Sequence, residues 1–211
     1  MEDWVLNYSL FLQNHSNLDY NTEVGSLIED LPNEWTYKYR KFKSKFDVPN
    51  DIVQMQLNTF SYIYDFEHNI RKTKNGSVLL EPRVIVAFGK TNPQKVRRDD
   101  SRLKGWGGQT QEIFGNEWDK GHFIANSMGG RVDHHEINVF QQLRTLNRGW
   151  SNEGKLFRKM EKYCSNNKDI FCWHRPFYLD LSDIPNYLEF GILLPDCTFW
   201  IEIFNNRNVE E

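Results

Sequence analysis

The chain is short of cysteine, of long apolar runs and of net positive charge. Its three cysteines, Cys164, Cys172 and Cys197, form an odd set with no CxxC spacing in 211 residues. That excludes a disulfide framework, and a chain of this length buries enough core to fold without one. No apolar stretch reaches the roughly 20 residues that span a bilayer, and mean hydropathy is -0.69. No internal repeat or low-complexity tract is present, which sets repeat architectures aside. Formal net charge is -3 with a pI near 6.1, so overall charge gives no argument for a polyanionic partner. The opening MEDWVLNYSLFLQNH carries acids where a Sec signal carries bases. The expectation is therefore no signal peptide, with a cytoplasmic place or export by a dedicated non-Sec system.

What is present describes a folded domain, or a domain with an extension. Aromatics reach 15%, apolar residues 39% and charged residues 26%, which excludes disordered, collagenous and coiled-coil chains. Basic residues gather in KYRKFKSK (Lys38 to Lys45), KVRRDDSRLK (Lys95 to Lys104) and KLFRKMEK (Lys155 to Lys162). Such patches can hold a polyanion on a mildly acidic protein, although a solvated face is the commoner meaning of any one cluster.

Residues 1–50 read as a helical or irregular N-terminal extension. Trp4, Leu6, Leu10 and Phe11 suit a short amphipathic helix, and Pro32 is expected to close a second one over Val24 to Leu31. From 51 to 211 the pattern is that of one mixed α+β domain. MQLNTFSYIYDFE and LLEPRVIVAFGK are strand-like, the second following an Asn75-Gly76 turn. Lys90 to Phe114 reads as a long functional loop. EWDKGHFIAN is short and β-like, SMGGRVDHHE irregular, and Leu156 to Cys164 a helical stripe. The chain then ends in two or three strands turning at Pro185-Asn186 and Pro195-Asp196. The fold class is α+β on a mainly antiparallel sheet.

His122 stands out among the six histidines because Asp119-Lys120-Gly121-His122 joins a strand-like segment to an irregular one. Downstream come Asn138, Gln142 and Asn147, then Glu161 on what reads as the polar face of the helix. A strand-borne histidine facing a helix-borne asparagine suits metal-assisted phosphodiester hydrolysis. The imidazole takes a proton from water, and a hard cation on oxygen ligands neutralises phosphate charge.

DKGHFIANSMGG, then NVFQQLRTLNRGW, then FRKMEKY closely resemble the DNA/RNA non-specific endonucleases of the ββα-metal (His-Me finger) superfamily. That family carries a DRGH motif, an N-x-x-x-Q-x-x-x-x-N segment and a Glu on the following helix. The resemblance implies a ββα-metal core and a hydrolase that cleaves DNA or RNA to 5′-phosphate ends. In it His122 is the general base, Asn147 the single protein ligand of Mg²⁺ (Mn²⁺ substituting), and Asn138 and Gln142 support the site. Glu161 reaches the ion through a water molecule. It further implies that Arg97 or Arg98 contacts the scissile phosphate, with Asp119, Lys120 and Arg148 also at the substrate. The chain departs from the family at Lys120, where the Arg of DRGH would stand, trading a planar fork for a point charge. Glu161 lies fourteen residues after Asn147 instead of eight. On one continuous helix that separation spans about 21 Å, so a loop must intervene, and RGWSNEG supplies one. A strict count would put Lys155 in the eight-residue place; the alignment of FRKMEKY as a block favours Glu161.

Other signals are weaker. Asp133-His134-His135 lacks the further Asp motifs of DHH phosphoesterases, and Cys164, Cys172, His174 and Cys197 match no zinc spacing, so buried free thiols are expected. WTYKYRKFKSKF is either a base-stacking nucleic-acid site or a cationic helix face whose aromatics are core. GWGG lacks the helix and Lys of a P-loop. The expected partner is nucleic acid, with an inhibitor or immunity protein and a homodimer as further candidates. The biological role would be that of a toxin or effector, or of a defence nuclease. The rival reading is a nucleic-acid-binding protein on the same fold that has lost turnover.

Overall fold

The computed structural model describes residues 4–13, 19–67, 70–72, 78–80, 82–93, 115–130 and 138–207. Its backbone is a six-stranded sheet in the order β1-β2-β5-β8-β9-β10, antiparallel at every pairing. The strands are β1 (Ile52–Leu57), β2 (Phe60–Asp65), β5 (Arg83–Lys90), β8 (Phe171–Phe177), β9 (Tyr187–Leu193) and β10 (Phe199–Asn205). Two small ribbons stand apart, β3 (Ile70–Lys72) with β4 (Val78–Leu80), and β6 (Trp118–His122) with β7 (Val139–Leu143). Helices are α1 (Ser9–Gln13), α2 (Tyr20–Lys43), α3 (Arg144–Asn147) and α4 (Asn152–Asn166). The protein is α+β, as its sequence implies.

The sheet is covered on both faces, and this explains the continuous apolar run of VIVAF. Val84 and Ala87 belong to a core shared with Phe123, Phe140, Leu146, Phe157 and Met160. Ile85, Val86 and Phe88 belong to a second core shared with α2. A strand covered on one side alone would alternate apolar and polar residues; β5 is buried along nearly its whole length.

Helix α2 is longer than the sequence suggests, because Pro32 does not close it but lies inside it. The Asp19 side chain caps its first turn, accepting from the amides of Asn21 and Thr22, and Arg40, Lys41 and Lys43 complement the dipole at its last turn. Val24, Leu27, Leu31, Trp35, Tyr39 and Phe42 form one buried stripe that runs through the proline. Burying that stripe outweighs the roughly 3 kcal/mol that an interior proline costs. WTYKYRKFKSKF is therefore a helix face: Trp35, Tyr39 and Phe42 are core, whereas Tyr37 is exposed. Lys43 is buried and pairs with Asp65, and Tyr39 is hydrogen-bonded to both Asp65 and Arg83. Among the described residues no helix is long and apolar enough to cross a membrane.

Both predicted C-terminal turns join the expected strands, and Leu156 to Cys164 lies within α4. Cys164 and Cys172 are free and buried, as expected; Cys197 is free but only half-buried. The Asn75-Gly76 turn, the Asp133-His134-His135 segment and nearly all of the Lys90 to Phe114 loop fall outside the described residues.

Candidate active site

The ribbon β6–β7 and the helices that follow it build one cleft of about 470 Å³. Asp119, Lys120 and His122 reach it from β6, Asn147 from the end of α3, Arg148 from the turn after it, and Arg158 and Glu161 from α4. Ala125, Asn126 and Ser127, around a short 3-10 turn, close the side beyond His122.

His122 ends β6 opposite Val139, and the chain then leaves the ribbon. What holds it there is Asn138. Its Oδ1 accepts from the Ile124 amide at 2.8 Å, and its Nδ2 donates to the Ile124 carbonyl at 2.7 Å. The Asn138 carbonyl also accepts from the Phe123 amide at 3.1 Å. Phe123 stacks on Phe140, ring centroids 4.3 Å apart, so the exit of the chain after His122 is fixed by packing as well as hydrogen bonds. Gly121 is dictated by Gln142, since a Cβ there would stand 2.3 Å from Gln142 Oε1 and 2.5 Å from its Cβ. Asn138 and Gln142 are thus buried and do not line the cleft.

Asp119 is the organiser of the opposite wall. It accepts from Arg144 Nε at 3.1 Å, Asn147 Nδ2 at 3.2 Å, and Arg148 Nε and Nη2 at 2.7 and 2.9 Å. Burial pushes its carboxyl up, but the hydrogen bonds from Arg148, Asn147 and Arg144 hold it below its ordinary value. With both oxygens so occupied, Asp119 orients its neighbours while itself lining the cleft. Arg144 was not foreseen. It adds a bond to the Trp118 carbonyl at 3.1 Å.

Asn147 and Glu161 sit on different helices. Gly149, at φ 71°, turns the chain after α3, and Ser151 accepts from the Gly154 amide at 2.9 Å to cap α4. The turn is shorter than RGWSNEG, because Asn152, Glu153 and Gly154 are already helical. Glu161 lies on the cleft and Lys155 does not. Nor is Glu161 on a polar face: it is 7% exposed. Burial pushes its carboxyl up, and Arg158, at 2.6 Å from Oε2, pulls it partly back.

The donor set suits a hard cation held by few protein atoms. Asn147 spends its amide nitrogen on Asp119, which turns its oxygen, a neutral hard donor, to the other side. Among the described residues no group of three or more His, Cys, Asp or Glu side chains could hold a metal ion. Arg97 and Arg98 lie outside the described residues. Arg158, unforeseen as a site residue, stands within the basic KLFRKMEK cluster but was not singled out by any motif.

No family model matches the chain, and no curated protein does. Among solved structures the chain is similar to one described as the Sda1 nuclease with bound zinc ion. Identity is 15%, covering 65% of this chain and 80% of that one, with a TM-score of 0.39.

Proposed function

We propose that this protein is a Mg²⁺-dependent, sugar-non-specific endonuclease of the ββα-metal type, hydrolysing DNA or RNA to 5′-phosphate and 3′-hydroxyl ends. The observation that carries the reading is the shared cleft: His122 on a ribbon strand, Asn147 on the next helix and Glu161 on the one after line a single cavity. Cationic Lys120, Arg148 and Arg158 outnumber the carboxylates of Asp119 and Glu161 there, which favours a polyanionic substrate on a chain of net charge -3. Cutting of this kind serves a toxin or effector and a defence nuclease equally.

Neutral His122 takes a proton from water as the water oxygen bonds to phosphorus in line with the departing 3′-oxygen. The phosphorus–oxygen bond to that 3′-oxygen breaks, the leaving oxygen takes a proton from solvent, and His122 returns its own to solvent. Lys120 and the partly exposed Arg148 draw the phosphate into place by charge. Asn147 would hold the cation through its oxygen, with Glu161 reaching it through water. When bound, a divalent cation supplies charge neutralisation on the phosphate and on the leaving oxygen. Recognition is of backbone and groove shape rather than of bases.

Plasmid nicking in Mg²⁺, in excess EDTA and after restoring Mg²⁺ or Mn²⁺ tests this, run beside double-stranded DNA, single-stranded DNA and RNA. The expected result is cleavage that stops with chelation and returns with metal. His122→Ala should cut about 10² to 10⁴ times more slowly while still binding DNA. Full turnover in excess chelator, or a His122→Ala rate within a few-fold of the parent, would overturn the proposal. Binding without cleavage by the parent would point to the rival, a nucleic-acid-binding protein on this fold.

A further inference from the structure

The cleft holds two arginines, and their guanidinium groups are used differently. Arg148 gives its Nε and Nη2 to the two oxygens of Asp119, so the edge that matches a phosphate is already taken. Arg158 meets Glu161 end-on, through Nη1 alone at 2.6 Å. Its Nε and Nη2 make no hydrogen bond among the described residues. The Nε–Nη2 edge, where two parallel donors fit two phosphate oxygens, therefore stays open in a side chain that is 58% exposed.

Arg158 is also held in place. A Cβ on Gly149 would stand 3.1 Å from Arg158 Cγ, so the aliphatic stem lies against the turn after α3. The head is anchored by a carboxylate that is itself 9% exposed. A side chain fixed at stem and head loses little further freedom when it binds. A surface arginine paired merely for stability would not need to line the cavity.

We infer that Arg158 is a substrate-binding residue of this cleft, presenting its Nε–Nη2 edge to a backbone phosphate of the nucleic acid while Glu161 holds it in orientation. This rests on the endonuclease reading above. The ligand class is the phosphodiester backbone, without base preference, because a guanidinium edge matched to two phosphate oxygens reads no sequence.

The test separates charge from scaffolding. Arg158→Gln keeps a stem and one donor for Glu161 but removes the charge; Arg158→Lys keeps the charge without the fork. Each is made in the His122→Ala background, and binding of a short DNA duplex is followed by fluorescence anisotropy across a salt series. Arg158→Gln is expected to bind about tenfold more weakly, with the slope of log affinity against log salt reduced by about one. Arg158→Lys should recover the slope but not the full affinity. Thermal midpoints of all variants are recorded so that a folding defect is seen as such. An unchanged slope in Arg158→Gln overturns the assignment, whether or not cleavage is slowed. If the parent cleaves nucleic acid and the slopes coincide, Arg158 alone is wrongly placed; if the parent neither binds nor cleaves, the endonuclease reading falls and this inference with it.

Discussion

Asn147 turns its amide nitrogen toward Asp119, Nδ2 to Oδ2 at 3.2 Å, and so presents its oxygen the other way. The same carboxylate fixes Arg144 and Arg148. One side chain on β6 therefore sets the orientation of three on the α3 segment, and the DKGH aspartate acts through them.

Replacing Asp119 by Asn should disturb all three contacts at once. An amide cannot accept as strongly from two guanidinium groups, and Asn147 would be free to flip its oxygen away. The expected outcome is a weaker half-saturation by Mg²⁺ and slower cleavage, each by about 10- to 100-fold, as when the partner of a metal ligand is lost. Mg²⁺ titrations of cleavage by parent and variant measure this; coincident curves would refute the role given to Asp119.

Asn138 gives a second prediction, about stability first and activity second. It satisfies both the amide and the carbonyl of Ile124 in a fully buried setting. Asn138→Ala strands two buried backbone groups, at about 1 to 3 kcal/mol each. Asn138→Asp keeps the acceptor but sets a buried carboxylate oxygen against the Ile124 carbonyl, so at neutral pH it should be no more stable than Ala in urea denaturation. Since the contact fixes the chain just past His122, both variants should lose turnover more than DNA binding. A fall in binding alone would argue for a substrate contact instead.

How much of this was legible in the sequence depends on whether a signal was local. Motif spacing marks His122 and Asn147, and the block FRKMEKY marks Glu161 against a strict count; all three line one cleft, and the turn between the last two follows from helix rise and the composition of RGWSNEG. The bonds Asp119 makes are not legible in the sequence, since its partners Arg144, Asn147 and Arg148 lie 25 to 29 residues away. That Arg158 lines the cleft is not legible, since no motif spacing marks it. Most strands of the large sheet are legible from β-branched and aromatic runs, but MQLNTFSYIYDFE runs across two strands, β1 and β2, turning at Asn58-Thr59, and β7 carries no such run and goes unseen. Helix α2 was cut short at Pro32, since a local rule about proline says nothing of the stripe from Val24 to Phe42 that carries the helix past it.

That stripe leads to a third prediction. Trp35 is fully buried and packs beside Phe88 and Trp173, with ring centroids 5.4 and 5.9 Å away. Its Nε1 donates to Tyr8 at 2.9 Å. Trp35→Ala should cost about 3 to 5 kcal/mol, and deleting residues 1–50 should leave a sheet face of Ile85, Phe88, Trp173 and Leu193 open to water. The truncated chain is expected to aggregate or to melt without a cooperative transition. A cooperative, soluble 51–211 fragment would show that the N-terminal segment is dispensable for folding.

The last prediction concerns acid stability and His174, which lies outside the cleft. His174 is fully buried between the rings of Phe157 and Phe190, centroids 5.6 and 3.9 Å away. Neither ring nitrogen has a hydrogen-bond partner among the described residues. Burial pushes its pKa down from 6.5 to about 3, so the folded protein keeps the ring neutral where the unfolded chain protonates it. The unfolded state then binds more protons between pH 6.5 and pH 3, and stability must rise with pH across that window and level off above it. At pH 5 the loss relative to neutral pH is about 2 kcal/mol from this group, at 1.36 kcal/mol per pH unit. Glu161 acts with the opposite sign: its carboxyl is raised above 4.5 by burial, so it removes stability as pH climbs through that region. His174→Leu abolishes the first effect and leaves the second. The variant should be at least as stable as the parent at pH 7.5, because two unpaired buried nitrogens are gone. At pH 5 it should be clearly the more stable of the two. Urea midpoints at both pH values decide it: an equal acid sensitivity in parent and variant would show that His174 does not titrate on unfolding as argued.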